Sequence, residues 1–216
     1  MPTFGEEVRI FLSQTCVNWF KRLGVLGWLR FRILRWAYKI FWTNSPRNGE
    51  WDFVLGWLRP LRGWQKPVRV LDIGSTESLL IYELVKRGYF VEGLDQRAYQ
   101  EKINLPFWVW DITRPFHETW TNTWDYILAI STIEHIGLGA YGDNKDKKGD
   151  RLAIENIHKL LKPNGYFLIT IPNKHLGTDT GRGYSYQDFE KLIKDLFRIV
   201  YFEERSNQIC AALVKV

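Results

Sequence analysis

The sequence predicts an α/β protein with a Rossmann-like, doubly wound and mostly parallel sheet of seven strands. From residue 68 onward, short β-branched apolar runs alternate with helical patterns, as in successive βαβ units. The first run ends in an Asp72-Ile73-Gly74 turn, at the position where such sheets bind ligands. Only a Ser206-Asn207 turn separates the last two runs, so they form a hairpin that makes one strand antiparallel.

The predicted elements follow one another in regular order. Apolar runs predict strands at 68–73, 89–94, 107–112, 126–130, 166–171, 197–204 and 209–216. Helical spacing predicts helices at 78–87, 150–161 and 186–196. Gly88 ends the first helix, Asp150 caps the second, and Ser185 with Asp188 resembles a capping box for the third. Functional residues are therefore expected just after the strands, at the sheet edge formed by their carboxyl ends.

Composition divides the chain near residue 67. Residues 1–66 hold 11 Lys and Arg against 4 Asp and Glu, and seven of the eleven tryptophans. The remaining residues, 67–216, hold 19 basic against 20 acidic side chains. We therefore predict two parts: a basic, Trp-rich helical segment at 1–66 and the Rossmann-like domain at 67–216.

The basic segment has three possible roles. Its patterns predict helices at roughly 5–23, 28–42 and 50–59, and the second helix has a wide apolar face beside a stripe of Arg32, Arg35 and Lys39. The segment is a cap on the domain, a peripheral contact with an anionic membrane surface, or a nucleic-acid contact. The broad apolar face makes nucleic acid the least favoured of the three.

Composition also excludes several classes of protein. A chain of 216 residues that is 45% hydrophobic and 25% charged can bury a core, so it is not a disordered protein. We find no apolar run long enough to cross a membrane and no signal-peptide pattern, and we expect a cytoplasmic protein with or without peripheral membrane contact. Cys16 and Cys210 are far apart and the four histidines are scattered, so no zinc site is expected.

The turn after the first strand indicates the kind of cofactor. Asp95 follows Gly74 by 21 positions, where this fold places an acid that binds ribose hydroxyls. A dinucleotide site needs G-x-G-x-x-G, but only Gly74 is present here, and Glu77 would repel a pyrophosphate. An acidic residue at this turn suits a cofactor that carries a positively charged ammonium and sulfonium and no phosphate. S-adenosylmethionine meets that description, whereas a nicotinamide-dependent oxidoreductase is disfavoured.

At this point the sequence resembles the class I S-adenosylmethionine-dependent methyltransferases, of the small-molecule, methyltransferase type 11-like kind. The resemblance covers about residues 68–216. The matching motifs are Val70 to Ser75, Asp95, Asp111-Ile112, Asp125 to His135, and Leu160 to Leu168. The chain departs from the family at Thr76, where the pattern has a second glycine.

The resemblance implies roles for individual residues. Cofactor-binding residues would be Asp72, Gly74 and Ser75 at the methionine end, Asp95 at the ribose, Asp111 and Ile112 at the adenine, and Ser131 beneath the sulfonium. Catalytic residues would be Glu134 and His135, with His135 as the candidate base. Candidate substrate contacts are Tyr141 and Asp143, in a glycine-rich lid, and His175 after the fifth strand. No metal is expected, because Ser131 replaces the first glutamate of the related E-x-x-E-H motif.

The function implied is methyl transfer from S-adenosylmethionine to a small-molecule, sugar or lipid-linked acceptor, at oxygen. Two alternatives remain open. One is a methyltransferase acting on RNA or protein, since fold does not fix the substrate. The other is a non-catalytic relative that serves as a binding or scaffold protein, an alternative that Thr76 keeps open.

Overall fold

The computed structural model describes residues 46–59, 67–78, 80–98, 105–174, 180–205 and 207–216. The helices predicted at 5–23 and 28–42, with their basic stripe, lie outside the described residues, as does His175.

The described strands form one seven-stranded sheet. They are β1 Arg69–Ile73, β2 Phe90–Asp95, β3 Phe107–Val109, β4 Trp124–Ile130, β5 Leu161–Pro172, β6 Phe197–Arg205 and β7 Gln208–Lys215. Their order is β3-β2-β1-β4-β5-β7-β6. All neighbours are parallel except β7, which pairs antiparallel with both β5 and β6. The predicted fold class is confirmed, including the single antiparallel strand.

The helices flank this sheet. They are α1 Pro46–Trp57, α2 Leu80–Lys86, α3 Gly149–Leu160 and α4 Tyr186–Ile193, with short 3-10 turns at Ser75–Glu77, Glu118–Trp120 and Ile133–His135. The capping box of α4 is confirmed, because the Ser185 hydroxyl accepts the Asp188 N–H at 3.1 Å.

Several bounds differ from the sequence prediction by a few residues, and two of its details are wrong for a physical reason. Asp150 does not cap α3, which follows Lys148 and has no side-chain cap; the Asp150 carboxylate instead accepts the hydroxyl of Tyr184 at 3.0 Å. The third strand ends at Val109 rather than at residue 112. It ends early because Asp111 opens a turn, in which its carboxylate accepts the N–H of Thr113 at 2.9 Å.

Both faces of the sheet are covered. Along β4, Ile127 belongs to one buried cluster and Leu128 to the other, because successive side chains of a strand point to opposite faces. Residues of α3 and α4 fill the first cluster, and residues of α1 and α2 fill the second. This arrangement leaves the strand ends as the place for a ligand.

Helix α1 packs on the sheet although it lies within the basic segment. Phe53, Val54 and Leu58 are 6%, 0% and 0% exposed and belong to the second cluster. The compact unit that contains the sheet begins at Gly49. The change in composition near residue 67 therefore falls after the start of this unit. No helix among the described ranges is long and apolar enough to cross a bilayer.

Candidate active site

The strand order reverses between β1 and β4, and the predicted polar residues gather at that reversal. The carboxyl ends of β3, β2, β1 and β4 follow one another along one edge of the sheet. Asp111 follows β3, Asp95 ends β2, Asp72 lies near the end of β1, and Ser131 follows β4. The fold thus brings together four of the residues that the sequence proposed for a cofactor.

Gly74 makes the turn after β1. Its φ is +76°, its N–H donates to the carbonyl of Leu94 at 2.8 Å, and a Cβ there would lie 2.4 Å from the Thr132 hydroxyl oxygen. That hydroxyl donates to the carbonyl of Ile73 at 3.1 Å, so the loops after β1 and β4 are in contact. Both the backbone angle and the close approach therefore require glycine at this position.

Asp72 is a buried carboxylate at the sheet edge formed by the carboxyl ends of β3, β2, β1 and β4, which we call the ligand edge. Its exposure is 2%, and its Oδ2 atom has no hydrogen-bond partner among the described residues. Burial raises the pKa of Asp72 from 3.8 to about 7, while a hydrogen bond from Ser78 opposes the shift and the charge of Asp95 adds to it. The neighbouring Ser75 hydroxyl is fully buried and also lacks a partner in the described structure. A cationic ligand group would supply what this carboxylate lacks.

Asp95 holds the β1 loop against the end of β2. Its Oδ2 accepts the N–H of Thr76 at 3.2 Å, and its Oδ1 accepts the N–H of Arg97 at 3.0 Å. The Thr76 hydroxyl also donates to the Arg97 carbonyl at 3.1 Å. The residue that departs from the family pattern therefore ties two loops together. Each oxygen of Asp95 keeps a lone pair for a further donor.

Asp111 and Ile112 are anchored by local contacts. One oxygen of Asp111 accepts both the N–H and the hydroxyl of Thr113, at 2.9 and 2.7 Å. The other lies 3.7 Å from the guanidinium of Arg114. Ile112 is 5% exposed, and its carbonyl accepts the side-chain amide of Asn156 at 2.8 Å. One oxygen of Asp111 thus has the capacity to accept from a ligand.

Glu134 and His135 lie in the 3-10 turn that follows β4. Glu134 is 1% exposed, and its Oε1 is 3.9 Å from Nε2 of His135. The Nδ1 atom of His135 is hydrogen-bonded to the carbonyl of Thr180. A carbonyl only accepts, so Nδ1 carries the proton and Nε2 presents its lone pair in the neutral ring. This arrangement suits a base whose cation Glu134 would stabilise.

Tyr141 spans the ligand edge. Its ring packs edge-on against His135 with the centroids 5.4 Å apart, and the Arg97 guanidinium lies 4.9 Å from the same ring. Its carbonyl accepts the side-chain amide of Gln96 at 2.9 Å. The glycine-rich loop therefore reaches from the end of β4 to the end of β2. Asp143 shapes the loop, since its carboxylate accepts the N–H groups of Gly137 and Tyr141.

Arg182 and Tyr184, in the segment that follows the fifth strand, form a polar cluster with Asp150 beside the turn after β4. The Arg182 N–H donates to the carbonyl of Glu134 at 3.0 Å, and its guanidinium lies 3.7 Å from Asp150. Burial, followed by the charge of Asp150, raises the pKa of Tyr184 above its ordinary value. The cluster fixes the turn that carries Glu134 and His135.

Glu50 is the functional candidate that the sequence analysis missed. It lies on α1 and is 1% exposed, and its Oε1 accepts the hydroxyls of Ser131 and Thr170, the latter at 2.7 Å. The Ser131 N–H donates to the Thr170 hydroxyl oxygen at 3.0 Å. The only sequence signal is a Glu-Trp-Asp step before the apolar run Phe53 to Trp57, and composition had assigned that helix to a separate segment.

Ser131 has an unusual backbone. The other described non-glycine residues with positive φ are all Asn or Asp, which tolerate that region, whereas Ser131 has a φ of +47°. Strained positions of this kind cluster at functional sites. In the described part of the chain, no three His, Cys, Asp or Glu side chains are grouped as metal ligands.

Comparison with known proteins defines the fold class. The fold is that of the class I S-adenosylmethionine-dependent methyltransferases. One similar structure is a 1,6-didemethyltoxoflavin-N1-methyltransferase from Burkholderia thailandensis, with bound 1,6-didemethyltoxoflavin and S-adenosylhomocysteine. Its superposition on this chain has a TM-score of 0.61 at 13% sequence identity and covers 100% of this chain and 92% of that one. The N-methyltransferase NodS from Bradyrhizobium japonicum, in complex with S-adenosylhomocysteine, has a TM-score of 0.58 at 12% identity over 81% and 91% of the chains.

Two further comparisons limit what the fold implies. The [4+2]-cyclase SpnF has a TM-score of 0.56 at 16% identity, covering 76% of this chain and 80% of its own, so the fold also hosts other chemistry. Residues 94–187, less than half of the chain, match a family described as a Caenorhabditis protein of unknown function, DUF268. No protein with a curated description matches the sequence.

Proposed function

We propose that this protein binds S-adenosylmethionine and transfers its methyl group to a small-molecule, sugar or lipid-linked acceptor. The observation that carries the proposal is the buried Asp72 carboxylate, which has an oxygen without a described partner at the ligand edge. An uncompensated buried carboxylate is costly, and the cationic ammonium of the methionine moiety would offset that cost.

The donor and acceptor chemistry of the edge fits this cofactor. The three carboxylates Asp111, Asp95 and Asp72 follow one another along the sheet. Ionised carboxylates only accept hydrogen bonds, and an adenine amino group, ribose hydroxyls and an ammonium only need to donate. The cofactor's groups occur in that same order. A dinucleotide would instead bring its phosphates to three like charges.

The residues after β4 would receive the acceptor. When bound, the cofactor supplies an activated methyl group, so the protein needs only to align the acceptor and exclude water. Nε2 of His135 would take the proton of an acceptor hydroxyl, and Glu134 would stabilise the resulting imidazolium. Tyr141, which lies across the edge, would shield the reaction from water. These assignments favour methylation of an oxygen that must lose its proton.

A non-catalytic binding protein is the second candidate. The observation that favours it is the linkage of Thr76 to the end of β2, through the Asp95 carboxylate and the Arg97 carbonyl. If those hydrogen bonds leave too little room for a ribose, the edge would not take the cofactor.

Calorimetric titration with S-adenosylmethionine tests the proposal. We expect micromolar binding by the wild type and a loss of about tenfold or more in Asp72→Asn and Asp95→Asn. Asp125→Asn is the matched control, because Asp125 lies at the opposite end of β4, where it pairs with Lys162 at 2.7 Å. Folded wild-type protein that binds no cofactor would refute the proposal and favour the second candidate.

A further inference from the structure

We propose that Glu50, acting through the Ser131 hydroxyl, makes the site select the positively charged sulfonium of S-adenosylmethionine over the neutral thioether of S-adenosylhomocysteine. Glu50 is thus a specificity-determining residue, contributed by the helix that precedes the first strand. The inference rests on the proposed function, because it concerns the cofactor named there.

The position of Ser131 places it beside the methionine end of the site. Strands β1 and β4 are neighbours, with Ile73 opposite Ala129, and their following loops touch where the Thr132 hydroxyl donates to the Ile73 carbonyl. Ser131 lies between Ala129 and that contact and is partly exposed. The charge of a cofactor whose methionine end lies at Asp72 would therefore fall near Ser131.

The hydrogen bonds around Glu50 fix the polarity of the Ser131 hydroxyl. Two hydroxyls, from Ser131 and Thr170, donate to the same Oε1 atom of Glu50. A serine hydroxyl has one hydrogen and two lone pairs, so once its hydrogen is directed at Glu50 only lone pairs remain for the site. The Ser131 N–H is also occupied, by Thr170. What Ser131 presents to a ligand is therefore an oxygen with negative partial charge, polarised by a buried carboxylate.

Burial makes this charge effective. Glu50 is 1% exposed and Thr170 is fully buried, so water does not screen the carboxylate as it would at the surface. A negative potential stabilises a bound sulfonium, which is positively charged, and does not stabilise a neutral thioether. S-adenosylhomocysteine, the product formed from the cofactor, would therefore bind more weakly than S-adenosylmethionine, and this difference would aid release of the product.

The test compares two ligands that differ by one methyl group and one charge. Affinities for S-adenosylmethionine and S-adenosylhomocysteine are measured by calorimetry for the wild type, Glu50→Gln, Glu50→Asp and Asp52→Asn. In Glu50→Gln we expect about a tenfold loss of affinity for S-adenosylmethionine and less than about a twofold change for S-adenosylhomocysteine. Glu50→Asp keeps the charge and should retain most of the selectivity. Asp52→Asn removes an exposed carboxylate of the same helix and should change neither affinity.

The outcomes separate this inference from the proposed function. If Glu50→Gln weakens both ligands equally, or weakens neither, the inference is wrong while cofactor binding stands. If the wild type binds neither ligand, the proposed function itself fails. Should Glu50→Gln not fold, Ser131→Gly replaces it, because glycine accepts a φ of +47° and the substitution removes the side chain whose hydroxyl donates to Glu50. A selectivity that is unchanged in folded Ser131→Gly would overturn the inference.

Discussion

Replacing Asp72 by asparagine should stabilise the protein in the absence of ligand. Burial raises the pKa of Asp72 from 3.8 to about 7. Between those pH values the folded state holds a proton that the unfolded state has released, so the free energy of unfolding falls as pH rises from about 4 to about 7. The difference in pKa corresponds to about 4 kcal/mol, which is lost in full above pH of about 7.

The asparagine variant cannot ionise and so escapes this loss. Its amide brings two new N–H donors into the site, and leaving one without an acceptor costs about 1–3 kcal/mol. A net gain of about 1–3 kcal/mol is therefore expected at about pH 8, seen as a rise of several degrees in Tm. At about pH 5 the wild-type carboxyl is already neutral, so the variant should have no advantage.

Differential scanning calorimetry at the two pH values, with and without S-adenosylmethionine, measures both effects. Ligand should raise the Tm of the wild type and raise that of Asp72→Asn much less, because the variant has lost the charge that pairs with the ammonium. Asp125→Asn should show no gain that depends on pH. An Asp72→Asn variant that is less stable than the wild type at about pH 8 would show that Asp72 is well paired in the folded protein, and the reasoning would fail.

Three further experiments test Gly74, Cys210 and Glu92. Gly74→Ala should cost at least about 2 kcal/mol in urea unfolding, because of its positive φ and the 2.4 Å approach of its Cβ. Gly56→Ala should instead raise the free energy of unfolding by about 0.5–1 kcal/mol, because Gly56 lies in a helix and an added Cβ would have no atom within 4 Å. Similar changes in stability at the two glycines would contradict the argument. Burial raises the pKa of Cys210 to about 12, so little of the reactive thiolate is present in the folded protein. In a Cys16→Ser variant, where Cys210 is the one remaining thiol, a thiol reagent should label native protein at least about a hundredfold more slowly than unfolded protein. Glu92→Ala should lower stability by about 1–3 kcal/mol in urea unfolding, because it leaves the buried indole N–H of Trp124, which donates to Glu92 at 2.6 Å, without an acceptor. The Arg69 guanidinium that pairs with Glu92 at 2.7 Å is 36% exposed, so water can replace that partner. A loss below about 0.5 kcal/mol would contradict this.

Local patterns carried most of the fold prediction. Apolar runs and the turn residues between them are local signals, so the seven strands, their hairpin and the capping box of Ser185 could be predicted from the sequence. Errors arose where a side chain had a choice of partner. Asp150 has the chemistry of a helix cap, but the distant Tyr184 hydroxyl uses its carboxylate instead.

The candidate site was predictable only in part, for the same physical reason. Asp72, Asp95 and Asp111 each follow or end a strand, so the parallel topology alone brings them to one edge. Glu50 has no such signal, because its two partners lie 81 and 120 positions further along the chain. Contacts at such separations depend on how α1 packs, which composition does not encode.

The antiparallel strand β7 sets the order in which the sheet can be completed. It lies between β5 and β6, so β6 cannot join the sheet until β7, which comes later in the chain, has paired with β5. Until then the edge of β5 stays open, including Thr170, which pairs with Cys210 of β7. During synthesis the chain therefore exposes an apolar strand edge next to the site until residues 208–215 have emerged. Open apolar strand edges are prone to aggregation, and the pairing of β7 with β5 is what removes this one.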